Sequence, residues 1–213
     1  DSYLKSDKYW EIDNPIILTK VKDILGPSTA ESNTEKARLI NRYVTSFLKY
    51  NPERLTEGIE RFGAVTALAN TTDSVCIEFT DLFIDLARAA GVPARELNGF
   101  AFTSNSSIRP LSLSRDILHA WPEYWDEEKG WVMIDPTWES TTGGVDYFDK
   151  FDLNHFVFVV KGASSEQPIP AGSYKFEDVE SHDVKVNISD LDFVGKPNLS
   201  VEIDIAETIT AGL

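Results

Sequence analysis

A single cysteine, Cys76, occurs among 213 residues, together with one methionine and three histidines. One thiol excludes an internal disulfide and any thiolate metal cluster. His119, His155 and His182 are scattered, without metal-ligand spacing, so neither a metal nor a cofactor is expected. No run approaches the roughly 18 apolar residues that span a bilayer, which argues against direct membrane insertion. Basic residues are scarce as well: 20 Lys plus Arg stand against 35 Asp plus Glu, for a net charge of −15. Such a field repels phosphate backbones and anionic lipid, so nucleic acid is not an expected partner. No Gly-rich phosphate loop follows a predicted strand, and no internal repeat is visible.

What is present is ordinary globular material, 42% hydrophobic and 26% charged. The chain opens at Asp1 without a signal-peptide pattern and reads as a trimmed or mature form. The acceptor pattern for N-glycosylation begins at Asn70, Asn105, Asn187 and Asn198, which points to an extracytoplasmic or cell-surface location.

Periodicity divides the chain into helices followed by strands. Ile16, Ile17, Val21, Ile24 and Leu25 repeat at helical spacing until Gly26-Pro27 stops them. Ala37, Ile40, Val44, Phe47 and Leu48 predict a second helix from Thr34 to Tyr50. A third begins close to Cys76, with Phe79, Leu82, Phe83, Leu86 and Ala90 as its apolar stripe and Glu78, Asp81, Asp85 and Arg88 mostly off it. Thr72, Asp73 and Ser74 are competent N-caps, and Gly91 with Pro93 ends the helix. Short aromatic and β-branched stretches follow: Arg95–Phe102, Leu118–Trp125, Trp131–Asp135 and His155–Val160. This order predicts an α+β fold with N-terminal helices packed on an antiparallel sheet. Residues 1–163 form the expected main domain and 164–176 a linker. The alternating stretches Val184–Phe193 and Leu199–Ala206 make 177–213 a β extension, or the start of a truncated β-sandwich.

The chemistry begins at Cys76. A thiol attacks carbonyls as its thiolate, and a helix N-terminus favours that anion while offering N–H groups to an oxyanion. The bland alternative is a small buried hydrophobe. His119 opens one strand and Asp135 closes the next. If Trp125 faces Trp131 across the turn at Asp126–Gly130, Asp135 lies opposite Trp121 and His119 opposite Thr137. His119 and Asp135 then share a face as diagonal neighbours, roughly 7 Å apart at the backbone. Asp135 would hold one ring nitrogen as N–H and leave the other to exchange protons with sulfur. His155 is the competing base; it enters an apolar strand with no acid on an obvious neighbour. His182 lies beyond the linker, where solvent exposure is expected. Trp121 belongs either to the core or to a cleft wall that excludes water.

The runs Cys76-Ile77-Glu78-Phe79, Leu82-Phe83 and Leu86-Ala87-Arg88-Ala89-Ala90-Gly91-Val92-Pro93-Ala94-Arg95 resemble the nucleophile helix of the transglutaminase-like superfamily. His119-Ala120-Trp121 with Glu123 is similar to its histidine strand, and Trp131 with Asp135-Pro136-Thr137 to its aspartate strand. The resemblance covers residues 34–162 and implies a papain-like α+β fold of the microbial type. It implies Cys76 as nucleophile, His119 as general base and acid, and Asp135 as its orienter. Ser74-Val75 stand where family members often carry Gly and a small polar residue. Tyr50 and Asn70 are candidates for the side-chain partner of the oxyanion hole, although neither matches a family motif. The zinc-binding cysteine pairs of the family's peptide-glycanase members have no counterpart in a chain with one cysteine.

The expected function is acyl transfer on a protein or peptide substrate through a Cys76 thioester. Water as acceptor makes a cysteine protease or amidase; a lysine amine makes a cross-linking transglutaminase. The alternative is a non-catalytic protein-binding module on the same fold within a larger surface protein.

Overall fold

The computed structural model of the protein describes residues 2–54, 60–103 and 118–169. The alternating stretches after residue 177, the sequons at Asn105, Asn187 and Asn198, and His182 lie outside the described residues.

Four α-helices precede the sheet, and the starts of the first two follow from local chemistry. In α1 (Pro15–Leu25), the Asn14 side chain accepts the Ile16 N–H at 2.9 Å and Pro15 supplies a pre-set φ. In α2 (Asn33–Phe47), Ser32 and Glu35 form a reciprocal capping box. This helix stops at Phe47, three residues short of the Tyr50 end expected from periodicity. Lys49 to Asn51 turn extended instead and pair with the segment before Cys76: Lys49 N–H donates to Thr71 O at 2.7 Å, and Asn51 N–H to Ser74 O at 2.8 Å. A six-residue helix, α3 (Ala64–Ala69), is too short to show a period.

The central element is α4 (Cys76–Ala89), against which α1, α2, α3 and the sheet all pack. Phe79, Leu82, Phe83, Ile84, Leu86 and Ala87 have no exposed surface; each large side chain among them contributes roughly 1.5–3 kcal/mol by leaving water. The charged positions mostly off that stripe, Glu78, Asp81, Asp85 and Arg88, are buried too. Asp81 takes the Trp10 indole N–H at 3.0 Å and Arg61 Nε at 2.8 Å. Asp85 accepts the Glu11 N–H at 2.8 Å. Arg88 donates to the carbonyls of Lys5, Ala94 and Gly162. The apolar stripe was readable from spacing. The cover over the polar face was not, because much of it comes from residues 71 to 83 positions away: Trp10 for Asp81, Glu11 for Asp85 and Lys5 for Arg88.

Ala90 closes α4, and Gly91 at φ +82° lets the chain reverse into Pro93. Then β1 (Ala94–Ala101), β2 (Leu118–Asp126), β3 (Gly130–Met133) and β4 (His155–Lys161) form one antiparallel sheet in the order β3-β2-β1-β4. Trp125 pairs with Trp131, the register expected from the sequence. Gly99 marks a bulge between β1 and β4, where a Cβ would stand 1.7 Å from Phe156 O. Packing continues into the stretch read as linker: Ser165 is buried, its carbonyl accepting from Arg61 at 2.6 Å and from Lys161 at 3.1 Å.

Candidate active site

Topology gathers the candidate residues at one end of the sheet. α4, about 21 Å long, runs away from Cys76, and β1, about 26 Å, returns alongside it. β2 is antiparallel to β1 and pairs His119 with Gly99 near the end of β1. β4 pairs His155 with Ala101, the last residue of β1. The start of α4, the start of β2 and the start of β4 therefore converge. Cys76, half-buried, stands in the first turn of a helix packed on the strand that carries His119.

The helix start is not capped by Thr72, Asp73 or Ser74. Val75 occupies the N-cap, and the work falls to Glu78, whose carboxylate accepts the Val75 N–H at 3.0 Å. Extended pairing of Ser74 with Lys49 and Asn51 takes the three polar residues out of reach of the helix. A carboxylate so near the sulfur would oppose a thiolate, but Arg54 meets it at 2.8 Å and offsets that charge.

Asp135 does not end β3, which stops at Met133. It is the N-cap of α5 (Pro136–Thr141), its Oδ1 accepting the Trp138 N–H at 2.9 Å. Its Oδ2 lies 2.7 Å from His119 Nε2, and both side chains are buried. With Nε2 committed to the carboxylate, Nδ1 is the ring atom left to exchange a proton. The His119–Asp135 contact expected from the hairpin register thus exists as a hydrogen bond, with Asp135 reaching it from a helix cap and not from a paired strand position.

His155 departs from expectation. Instead of lacking an acid, it meets two: Nε2 lies 3.0 Å from the same Asp135 Oδ2, and Nδ1 lies 2.9 Å from Asp152 Oδ1. The first contact requires β4 to lie beside β1, a pairing between distant segments with no local signature. The second is only three residues away and was the one available signal. Burial alone would raise the Asp135 carboxyl, but His119 and His155 beside it hold it well below the usual carboxylate range. Burial opposes charge on His155, and the two carboxylates raise it above its ordinary value all the same.

His119, Asp135 and His155 present donor atoms within 4.8 Å of one another, a closeness that linear spacing did not disclose. Hydrogen bonds along a His–Asp–His chain account for it. Trp121, offered as a cleft wall, is fully buried: it stacks on His119 at 5.7 Å between ring centroids and meets His155 edge-on at 5.0 Å. The alternation of β2 turns Trp121 and His119 to one face, and His155 meets them there from β4. Its indole N–H has no hydrogen-bond partner among the described residues. Tyr50 is half-buried and bridges Ser74, two positions before Cys76. Asn70 is exposed at the end of α3, with its amide 3.5 Å from Asp73.

The profile of the Transglutaminase-like superfamily matches residues 21–136, which include Cys76, His119 and Asp135. A protein-glutamine gamma-glutamyltransferase of Pseudomonas aeruginosa is 29% identical over 121 residues, covering 55% of this chain and 17% of that protein. YebA of Bacillus subtilis, an uncharacterized protein, is 25% identical over 153 residues, 64% of this chain and 20% of YebA. The chain thus spans about a fifth of the length of these curated relatives. Among solved structures, a candidate cysteine protease from Cytophaga hutchinsonii superposes with a TM-score of 0.51 at 22% identity, covering 68% of this chain and 44% of that one. With more than half of its residues matched, the chain belongs to the transglutaminase-like superfamily, and its mixed helix-and-antiparallel-sheet architecture is the papain-like fold of that group.

Proposed function

We propose, taking that membership as the premise, that the protein transfers acyl groups of peptide or amide substrates through a thioester on Cys76. The observation that carries this reading is the buried 2.7 Å contact between His119 Nε2 and Asp135 Oδ2 at the end of the sheet where α4 begins.

In the proposed cycle, Nδ1 of His119 takes the Cys76 proton and the sulfur attacks the acyl carbon. The helix N-terminus favours the thiolate and the oxyanion that follows. Collapse of the tetrahedral intermediate breaks the C–N bond, and the imidazolium returns its proton to the departing amine. Water or a primary amine then attacks the thioester, giving its proton to His119 as the C–S bond breaks and the thiol is regenerated. Asp135 fixes the ring orientation and tautomer throughout. Residues 1–163 are the proposed catalytic unit, and protein or peptide the proposed substrate. An extracytoplasmic setting is supported by the sequons, of which Asn70 is exposed.

The test is incubation with a glutamine-containing peptide, with and without a fluorescent primary amine. Ammonia release that requires Cys76, or peptide cleavage that requires it, supports the reading, and amine incorporation identifies the cross-linking branch. Turnover surviving in Cys76→Ala eliminates it.

A further inference from the structure

Nothing in the cycle just described uses His155, yet it is among the most elaborately held side chains in the molecule. Its side chain has no exposed surface. Both ring nitrogens lie within 3.0 Å of carboxylate oxygens, Nε2 on Asp135 and Nδ1 on Asp152. A carboxylate oxygen accepts and does not donate, so each contact needs a proton on the ring nitrogen. Around the ring stand Phe151 at 4.5 Å, Trp138 at 4.6 Å, Trp121 at 5.0 Å and Tyr147 at 6.2 Å between centroids. Aromatic faces attract a cation, and the attraction strengthens away from water.

We infer that His155 is a standing imidazolium whose task is to position Asp135, clamping the same carboxylate oxygen that His119 meets. The inference rests on the acyl-transfer reading and adds to it a positioning residue. The geometry explains why a second histidine is tolerated there. Asp135 Oδ2 receives His119 Nε2 at 2.7 Å and His155 Nε2 at 3.0 Å, while Oδ1 is held by the Trp138 N–H at 2.9 Å. With three donors on two oxygens the carboxylate has one seat, and the tautomer of His119 is decided with it. Asp152 supplies the counter-charge that keeps the clamp protonated. The groups facing His155 are Asp135 from the cap of α5, Asp152 from the loop before β4, His119 from β2, and the ring of Tyr147.

The decisive measurement is the 15N–1H imidazole spectrum of the labelled wild-type protein across pH. Both nitrogens of His155 are expected to be protonated at pH 7, and its titration to fall to lower pH in Asp152→Asn. In the second arm, His155→Gln is expected to lower kcat by about tenfold to hundredfold with KM within about twofold, as a loosened orienter does. A neutral His155 ring in the wild type overturns the inference, and so does wild-type kcat in a folded His155→Gln. Should the variant fail to fold, the wild-type spectrum decides alone. That spectrum needs no substrate. A neutral ring beside a working Cys76 sinks the clamp only, whereas a charged ring in a protein without turnover sinks the acyl-transfer reading only.

Discussion

His119 and Asp135 are sixteen residues apart in sequence and 2.7 Å apart at Nε2 and Oδ2, with the imidazole on a strand and the carboxylate at a helix cap. The carboxylate therefore does two things at once: it starts α5 and chooses which nitrogen of His119 carries the proton. Asp135→Asn keeps a capping oxygen but can present an amide N–H to the ring and reverse its tautomer. We expect kcat to fall on the order of 10³- to 10⁴-fold with little change in KM, measured by steady-state amide turnover. Circular dichroism should show an intact fold, because Asn is as good an N-cap as Asp.

Asp85 offers a prediction of the opposite sign. Burial raises its carboxyl well above the ordinary value, Asp81 nearby adds to the effect, and one of its oxygens lacks a hydrogen-bond partner. A carboxyl raised on folding favours the native state most at pH below its unfolded value, about 3.9, and loses that contribution as pH rises through the folded value. Asp85→Asn removes the charge while keeping an acceptor for the Glu11 N–H. Its Tm at pH 7 is expected to exceed that of the wild type, each kcal/mol gained appearing as about 2–4 °C. Scanning calorimetry at pH 5 and pH 8 should show the gain growing with pH.

Gly99 lies between His119 on β2 and the bulge facing β4. Gly99→Ala would press a methyl group into Phe156 O, which is backbone and cannot rotate away. The bulge must open, carrying His155 off Asp135. Loss of stability by about 2 kcal/mol or more is expected, read from denaturant unfolding. A fall in kcat should accompany it even where the protein remains folded.

The parts of the site visible in the sequence were those set by local rules. Cys76 opens a strongly periodic helix closed by Gly91 and Pro93, and the Trp125–Trp131 pair across a tight turn fixed the hairpin register that brings Asp135 to His119. Where partners come from far away, local rules were silent. His155 looked solitary because β4 finds β1 only in the folded sheet, and the partners of the α4 charges went unseen because Trp10, Glu11 and Arg61 reach them from elsewhere in the chain. Short elements escaped for another reason: α3 and α5, six residues each, complete less than two turns and show no period.

Because Cys76 is the only cysteine, alkylation by iodoacetamide reports on a single thiol. Its rate against pH, in the wild type and in His119→Ala, tests the central claim most directly. The account predicts rapid labelling that persists well below pH 8 in the wild type and is lost in the variant. A wild-type rate that climbs with pH as an ordinary thiol does, near pH 8.5 and unchanged by His119→Ala, would contradict it.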